Sequence, residues 1–579
     1  MGYRQDGIVD GIVGMTTEVQ SPPIEFAGPL SSRPGFLRRL VAPKYLCVLA
    51  LFIFSAPGLF WMYPSMSDRF ESYQPLQALR FFASHGRLFA KYGPFPNFVL
   101  APVYGPTLLF WHLLGEFKPP FSKFPYGFAH PVQQMGFLIV EGRFIFMIIC
   151  LVSAAVLVSR LSRLSSSWLV LTVVSVAILG SAYPYTAILT STRPDALMMA
   201  FGGFFIVLYI DAILDGVTLR RAVLLALCAV CAVSSKELIY AMFLLPMLWL
   251  LLRAAVGKDP LLKPGLPLIR LTAITAFVAV TSYALVNIVY APATWLARMR
   301  FWTSGEGMDP RIWGNQKLAD LIRDGAQCVL DNLGIGGCVL LVLAIVMILV
   351  KRPRFSFSFA LPSLSFLIFA IFRIHFSEIR YYMPLCIALL PLMVLGIEAL
   401  RAQLAKGWQR SVLYAVLLAC LGLNLVWGMF SWYLVNGSTP VLVRQYLRKS
   451  PTDQTYYYFS LFPESPVTDS QGHRFETRSF QQILDSGTNW PDQILISSGE
   501  QGFLLDALKT ASQFPGRKGM LAEEGFHPGA DWKGFESSGY CLAHTIVPPI
   551  PAWYPFSWMY GARDMRRIGT LLVYSKHCQ

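Results

Sequence analysis

Charged residues are scarce in this chain. Asp, Glu, Lys and Arg make up 14% of its 579 residues and apolar residues make up 55%, whereas soluble domains usually carry about 25% charge. The sequence has no Walker or G-x-G-x-x-G element, which argues against nucleotide-driven chemistry. It has no His, Cys and Asp cluster with metal-ligand spacing, and it predicts no metal and no cofactor. The composition excludes a soluble globular protein and favours one that is embedded in a membrane.

Eleven apolar runs are long enough to cross about 30 Å of hydrocarbon as helices. The first follows a tail of residues 1–44, and it lacks the cleavage pattern of a signal peptide, so we expect it to remain as an anchor. The predicted spans are 45–64, 136–158, 168–189, 195–214, 222–235, 238–253, 271–290, 329–350, 356–373, 381–400 and 411–432. The short runs 222–235 and 238–253 could instead form one broken helix. The predicted fold class is an all-α polytopic membrane protein with about eleven transmembrane helices.

The distribution of basic residues predicts the orientation of these spans, because Lys and Arg near short loops prefer the cytoplasm. With a cytoplasmic amino terminus, the tail and the cytoplasmic loops hold Arg33, Arg38, Arg39, Lys44, Arg160, Arg163, Arg220, Arg221, Arg253, Lys258, Lys263, Arg270, Lys351, Arg352, Arg354, Arg401, Lys406 and Arg410. The opposite short loops hold only Arg193, Lys236, Arg373 and Arg380. The same distribution accounts for the net charge of +15 without nucleic-acid binding. Eleven spans then place the carboxyl terminus outside.

Residues 97–116 form a further apolar segment that tests this count. A twelfth span here would invert every later loop and break the charge asymmetry, and the segment contains Pro102, Pro106, His112 and Glu116. We therefore predict a helix that lies at the outer interface of the membrane without crossing it. The segment belongs to a large first outer loop, residues 65–135, of a transmembrane catalytic domain that covers 45–436.

The composition becomes polar after residue 436, and residues 437–579 are predicted to form a small outward-facing α/β domain. Segments 492–498 and 569–575 are typical of strands, and segments 479–486 and 502–511 are typical of helices. Most of the ten cysteines lie in apolar runs and are interpreted as packing residues. Cys541 and Cys578 lie in polar sequence instead, and could form a disulfide if this domain faces an oxidising compartment.

Ionisable residues at membrane depth are costly and usually functional, and in this topology they collect at four outer turns. These residues are Asp68 and Glu71 after the first span, Arg193 and Asp195, Lys236 and Glu237, and His375, Glu378 and Arg380. A transporter should instead place its key polar groups near the midplane, often on broken helices. The outer position of the charges favours an enzyme that acts at the membrane surface.

The order of these residues resembles that of the GT-C membrane glycosyltransferases, such as the protein O-mannosyltransferases and the aminoarabinose transferases. In that class a catalytic acid follows the first span, and a segment like HG-x-x-x-x-x-Y-x-P-x-P comes next. The matching residues here are Asp68, Glu71, His85, Gly86, Tyr92, Pro94 and Pro96, followed by Arg143 in the second span, the turn Arg193–Asp195, the stretch around Lys236 and the run Arg380–Pro384. Many members carry an adjacent Asp-Glu pair, whereas Asp68 and Glu71 are three residues apart.

The resemblance implies transfer of a sugar from a polyprenyl-phosphate donor, and the residue types suit that chemistry. A carboxylate can act as general base toward an acceptor hydroxyl or amine; we assign this role to Asp68, with Glu71 as its alternate or orienting partner. Lys236, Arg193 and Arg380 would neutralise the departing phosphate. The resemblance leaves metal dependence open, because some relatives use a divalent ion and others do not.

Four further residues are predicted to assist substrate binding. Asp195 and Glu378 are interpreted as partners that hold Arg193 and Arg380 in position. Arg143, which lies with Glu141 inside the second span, would contact the donor phosphate, or alternatively would pair with a group on another helix. His375 would bind substrate, or alternatively would make a local hydrogen bond.

The sequence therefore predicts an inverting, integral-membrane glycosyltransferase whose acceptor is a glycan, a lipid or a protein on the periplasmic or luminal face. The rival interpretations are a lipid or solute transporter, for which the outer charges would form a gate, and a scaffold that holds a soluble domain outside. The chain ends without a eukaryotic retrieval signal, which favours the bacterial inner membrane over the endoplasmic reticulum.

Overall fold

The computed structural model describes residues 42–60, 73–84, 92–119, 126–181, 193–256, 268–303, 318–353, 355–373, 379–458, 472–476, 490–498, 501, 539–551 and 570–576. These residues are mostly helical. The helices are α1 Pro43–Leu59, α2 Tyr73–Ala83, α3 Phe95–Leu113, α4 Pro131–Leu161, α5 Trp168–Ser175, α6 Pro194–Asp215, α7 Leu219–Ser235, α8 Tyr240–Val256, α9 Leu268–Ala284, α10 Pro292–Thr303, α11 Leu318–Lys351, α12 Ser356–Arg373, α13 Ile379–Tyr382, α14 Pro384–Ala388, α15 Leu390–Gln403, α16 Gly407–Gly428, α17 Phe430–Gly437 and α18 Thr439–Leu447.

Several helix ends follow directly from local sequence. Pro194 occupies the first turn of α6, where its missing N–H is no loss, and Gly216 ends that helix with a φ of +89°. The hydroxyl of Thr218 then caps α7 by accepting from the backbone N–H of Arg221 at 3.2 Å. Ser167 caps α5 in the same way through the N–H of Val170. These signals divide the apolar sequence into separate helices.

The chain is an integral membrane protein. Among the described residues, five helices are long and apolar enough to cross a membrane, and the bent pair Ile379–Ala388 and Leu390–Gln403 adds a sixth if it counts as one span. A helix lies at each of the eleven predicted spans, including α7 and α8, which Lys236 and a 3₁₀ turn, Glu237–Ile239, separate. However, α7 and α8 have 17 residues each, or about 25 Å, which is shorter than the hydrocarbon core. The count of about eleven spans therefore stays a prediction.

Helix α6 lies at the centre of the helical bundle. Its most apolar stretch is 78% buried, and it packs against α4 on one side and α7 on another. Helix α11 packs against α15 and α16, and α8 packs against α12. At 1.5 Å per residue, the 22 residues of α6 span about 33 Å. The two ends of α6 are therefore separated by about the thickness of a bilayer's hydrocarbon core.

An ion-pair network lies at the carboxyl end of α6, among loops that the sequence predicts to be cytoplasmic. Arg163 Nη1 lies 2.9 Å from Asp211 Oδ1, and Arg160 Nε lies 3.3 Å from Asp211 Oδ2. Arg221 Nη2 lies 2.9 Å from Asp215 Oδ2, and Arg163 contacts Asp215 as well. Basic residues from which the sequence analysis predicts the orientation thus also join the ends of α4, α6 and α7.

Two breaks in helical geometry meet at the buried side chain of Asn424 on α16. Helix α5 continues as a π-helix over Val176–Gly180, and α11 leaves helical geometry at Gly334, where φ is +71°. Asn424 Nδ2 donates to the carbonyl of Ala177 at 2.8 Å and to that of Leu333 at 2.7 Å, and Asn424 Oδ1 accepts from the N–H of Gly337. Backbone groups inside a bilayer need hydrogen-bond partners from the protein. The Asn424 side chain is such a partner for three backbone groups.

The carboxyl-terminal part contains a five-stranded mixed sheet that packs against α18. Its strands are β1 Thr455–Tyr458, β2 Arg474–Phe475, β3 Gln493–Ser497, β4 Cys541–Ile546 and β5 Leu571–Ser575, in the order β2-β1-β3-β5-β4. β1 pairs in parallel with β2 and β3, whereas β5 is antiparallel to β3 and β4. The predictions of strands at 492–498 and 569–575 are confirmed. The predicted helices 479–486 and 502–511 lie outside the described residues.

Cys541, at the start of β4, is disulfide-bonded, in keeping with the predicted oxidation of this segment. Its predicted partner Cys578 lies outside the described residues. The eight cysteines of the helical part, Cys47, Cys150, Cys228, Cys231, Cys328, Cys338, Cys386 and Cys420, are free, and five of them are buried. The division of the chain at residue 436 and the side of the membrane that the sheet occupies remain predictions.

Candidate functional site

A buried ion pair joins two of the predicted outer turns. Asp195 lies in the first turn of α6, and Lys236 lies between the end of α7 and a short 3₁₀ turn, Glu237–Ile239. Lys236 Nζ donates to Asp195 Oδ1, and the two side chains are only 2% and 3% exposed. The sequence analysis predicted Arg193, and not Lys236, as the partner of Asp195. The packing of α6 against α7 brings these residues together.

Two more of the predicted cations lie around the same carboxylate. Arg193 immediately precedes α6, and Arg380 lies in α13. Both are close enough to Asp195 to act on its charge. We call Arg193, Asp195, Lys236 and Arg380 the cationic cluster. Its three cations and one carboxylate leave a net charge of +2 among the described residues, which suits an anionic ligand.

Aromatic rings contact two of these cations, Lys236 and Arg380. Lys236 Nζ lies 4.6 Å from the ring centroid of Tyr381 and 5.5 Å from that of Tyr92. Arg380 Cζ lies 5.1 Å from the same Tyr381 ring, and its Nη2 donates to the Tyr381 hydroxyl at 3.4 Å. Cations over aromatic faces gain stabilisation that grows when water is excluded. Tyr381 therefore helps to hold Lys236 and Arg380 near each other.

The segment that carries Tyr92 packs directly on the turn that carries Lys236. A Cβ atom placed on Gly93 would lie 1.9 Å from the carbonyl oxygen of Ser234, so only glycine fits at this position. Pro94 follows and precedes α3. The Tyr–Gly–Pro sequence, part of the motif that resembles the glycosyltransferases, thus brings the first predicted outer loop against the cationic cluster.

A buried arginine that the sequence analysis missed lies beside the cluster. Arg298 of α10 is 2% exposed, and its three guanidinium nitrogens contact three different segments. Its Nε lies 3.0 Å from Glu237 Oε1, its Nη1 donates to the Tyr92 carbonyl at 3.3 Å, and its Nη2 donates to Asn287 Oδ1 at 2.9 Å. Asn287 Nδ2 in turn donates to Ser234 Oγ at 2.6 Å. We call these five residues, Tyr92, Ser234, Glu237, Asn287 and Arg298, the Arg298 network.

Glu237 is an unusual carboxylate within this network. Its side chain is 18% exposed, yet both carboxylate oxygens are buried. Burial raises the pKa of Glu237 to about 7, against the opposing effects of the Arg298 and Lys236 charges. Glu237 is therefore a group that changes its charge near neutral pH, one residue away from Lys236.

Arg143 lies inside α4 and contacts the end of α1. Its side chain is buried, and its Nη1 donates to the carbonyls of Gly58 and Leu59 at 3.3 Å each. Glu141 accepts instead from the hydroxyl of Thr107 on α3, at 2.9 Å. Arg143 is thus placed where α1 ends and the chain enters the predicted first outer loop, and its role toward a donor phosphate stays a prediction.

Four predicted site residues, Asp68, Glu71, His375 and Glu378, lie outside the described residues, as do His85 and Gly86 of the motif. The structure brings together Arg193, Asp195, Lys236 and Arg380 from three turns, with Tyr92 beside them. Within the described part of the chain, no group of three His, Cys, Asp or Glu side chains could hold a metal ion.

Sequence signals for the missed residues were present but weak. Asn287 is a polar residue in an otherwise apolar run, and polar side chains inside predicted spans are often functional. Arg298 lies in a segment where an arginine is unremarkable in sequence. Tyr381 looked like one aromatic residue among many, because only the fold places it between two cations.

The solved structures that this chain resembles include those of two GT-C glycosyltransferases. The structure of ArnT, the aminoarabinose transferase, from Cupriavidus metallidurans bound to undecaprenyl phosphate is 13% identical, with a TM-score of 0.47 over 92% of this chain and 98% of that chain. Its apo structure is 11% identical, with a TM-score of 0.43 over 91% and 98%. The S. cerevisiae protein O-mannosyltransferase Pmt1-Pmt2 complex bound to the sugar donor is 15% identical, with a TM-score of 0.31 over 50% and 40%. No protein-family model and no curated protein matches the chain.

Proposed function

We propose that the chain is a membrane glycosyltransferase that transfers a sugar from a polyprenyl-phosphate donor to an acceptor. The cationic cluster carries this proposal. Three cations surround a single buried carboxylate at one end of an apolar helical bundle, where the phosphate of a lipid-linked donor would lie while its polyprenyl chain stays in the bilayer. Charge-assisted hydrogen bonds to phosphate are strong in such a site because water is largely excluded.

Each cation has a distinct part in this proposal. Lys236 is held by Asp195 and by the rings of Tyr92 and Tyr381, so its ammonium group is preorganised. Arg193 and Arg380 are half-buried and can turn toward the donor. Once the donor is bound, cations placed around its phosphate stabilise the charge that develops on the leaving group, which lowers the barrier.

The reaction is a single displacement. The acceptor oxygen or nitrogen attacks the anomeric carbon, and the bond between that carbon and the phosphate oxygen breaks. The acceptor proton moves to the carboxylate of Asp68, with Glu71 as the alternate base, and the polyprenyl phosphate leaves with the bonding electrons. Attack from the face opposite the leaving group inverts the configuration at the anomeric carbon.

The cluster lies at the end of α6 opposite the Arg160, Arg163 and Arg221 network, which supports an outer position under the positive-inside rule. We therefore propose that transfer takes place on the periplasmic face of a bacterial inner membrane, or the luminal face of the endoplasmic reticulum. The carboxyl-terminal domain, residues 437–579, would then lie on the same face and could select the acceptor.

Sugar transfer in detergent-solubilised membranes tests this proposal. A panel of labelled polyprenyl-phosphate sugars is supplied with native glycolipid extract as acceptor, and the wild type is compared with Asp68→Asn and Glu71→Gln. We expect transfer by the wild type and its loss in Asp68→Asn. Equal turnover in all three proteins would contradict the assignment of the base, and no turnover with any donor would contradict the proposed function.

A further inference from the structure

Arg298 lies where four separate segments of the chain meet. Its own helix is α10, and its guanidinium contacts the backbone before α3, the turn after α7 and the end of the span that contains α9. These segments are separated by up to 206 residues in sequence. One side chain therefore connects the first predicted outer loop to two later turns.

The contacts of Arg298 are specific as well as numerous. A buried arginine is costly unless its charge is paired and its N–H groups find acceptors. Here the Glu237 carboxylate forms an ion pair with Nε, while the Tyr92 carbonyl accepts a hydrogen bond from Nη1 and the Asn287 amide oxygen accepts one from Nη2. Lysine has a single nitrogen on a flexible stem and does not reproduce this planar arrangement.

Residues that Arg298 contacts directly or through Asn287 lie on both sides of Lys236 in the sequence. Glu237 follows Lys236 directly in sequence, and Ser234, reached through Asn287, precedes it by two residues. Tyr92, whose carbonyl accepts from Arg298, places its ring 5.5 Å from Lys236 Nζ. The Arg298 network thus fixes the backbone around Lys236 and one of the two rings that contact its ammonium group.

The span that supplies Asn287 has an unusual local geometry. Only 6% of the most apolar 18-residue window of Leu268–Val289 is buried, and the helix changes to a π-helix over Leu285–Val289. Asn287 is the one buried residue of those five. π-helical turns are rare and frequently lie at functional sites. This span has few buried residues, and it departs from α-helical geometry where the amide side chain of Asn287 joins the Arg298 network.

We infer that Arg298 is a positioning residue that holds the Tyr92 segment against the Ser234–Glu237 turn and thereby orients Lys236. This inference rests on the proposed function, because the consequence of orienting Lys236 is tighter binding of the donor phosphate. Arg298 acts through Tyr92, Asn287 and Glu237 and does not itself contact the donor.

Three variants separate positioning from simple charge compensation. Arg298→Gln leaves the Glu237 carboxylate buried without its cation. The double variant Arg298→Gln with Glu237→Gln removes both charges and leaves both side chains polar. Arg298→Lys keeps the charge but cannot contact Glu237, Tyr92 and Asn287 through three separate nitrogens. Arg163→Gln is the control, because it removes ion pairs with Asp211 and Asp215 at the opposite end of α6.

The inference predicts a separation of stability from donor binding. The double variant regains thermal stability relative to Arg298→Gln, yet its apparent KM for the donor stays about ten- to a hundredfold above wild type, the loss expected for hydrogen bonds from a charged group. Its kcat falls by less. Arg298→Lys is intermediate in KM, and Arg163→Gln changes stability alone. A double variant with wild-type KM and kcat would show that Arg298 only compensates the charge of Glu237.

Backbone hydrogen exchange of residues 92–98 gives a readout that does not depend on the reaction. The full-length double variant in detergent should exchange these amides faster than wild type, whereas Arg163→Gln should not. Unchanged exchange would contradict the inference whatever the activity. Faster exchange in the double variant, together with no turnover of any donor by the wild type, would contradict the proposed function alone.

Discussion

Substitution of Gly93 by alanine is the most direct perturbation of the contact between the Tyr92 segment and the Lys236 turn. The added Cβ would lie 1.9 Å from the carbonyl oxygen of Ser234 and 2.5 Å from its carbonyl carbon. Both atoms belong to the backbone, so the segment as a whole must move. Overpacking of this kind costs about 1–3 kcal/mol. We expect a lower thermal denaturation midpoint together with a higher apparent KM for the donor, because the Tyr92 ring moves away from Lys236.

Gly105→Ala provides the matched control. Gly105 lies in α3, downstream of Gly93, and a Cβ there would meet nothing within 4 Å. Alanine is favoured over glycine inside a helix by about 0.5–1 kcal/mol, so this variant should be as stable as wild type or slightly more stable, with an unchanged KM. The reasoning is refuted if Gly93→Ala and Gly105→Ala behave alike in thermal denaturation and in donor kinetics.

Two further predictions concern stability in detergent. Asn424→Leu removes the partners of two backbone carbonyls and one N–H, each of which costs about 1–3 kcal/mol when left unsatisfied; thermal denaturation should show a large loss, and an unchanged midpoint would contradict the role of Asn424. In the folded protein Glu237 keeps its proton up to about pH 7, because its pKa is about 7 and the ordinary pKa of a glutamate is 4.5. This group should therefore lower the free energy of unfolding by about 3 kcal/mol as the pH rises from 4.5 to 7. The free energy of unfolding should decrease less over this pH range in Glu237→Gln. Equal pH profiles of unfolding for the variant and the wild type would contradict this prediction.

Much of the helical architecture could be predicted from the sequence, because apolar runs and their capping residues are local signals. Pro194 and Gly216 mark the ends of α6, and a helix does lie at every predicted span. The number of spans that cross the bilayer could not be predicted in the same way. Helices such as α7 and α8 are shorter than the hydrocarbon core, and whether they cross depends on their packing.

The candidate site was predictable in its residue types but not in its pairings. Arg193, Asp195, Lys236 and Arg380 were visible as charges at the ends of apolar runs. The ion pair between Asp195 and Lys236 depends on how α6 packs against α7, across 41 residues of sequence. Arg298 was missed because its significance comes from partners in three other segments, which no local pattern reveals.

The measurement that tests the central claim most directly is the binding of labelled polyprenyl phosphate to the purified, full-length protein. Lys236→Met alone would leave Asp195 buried without its partner, at a cost of about 3–5 kcal/mol, so Lys236→Met is combined with Asp195→Asn. The control, Arg163→Gln with Asp211→Asn, removes the ion pairs that Arg163 and Asp211 form at the opposite end of α6. We predict that the Lys236 and Asp195 double variant loses at least about tenfold in affinity, as expected for a charged hydrogen bond, and that the control binds like wild type. Equal affinity in all three proteins, or equal binding of the uncharged polyprenol by the wild type, would contradict the assignment of the cationic cluster as the phosphate site.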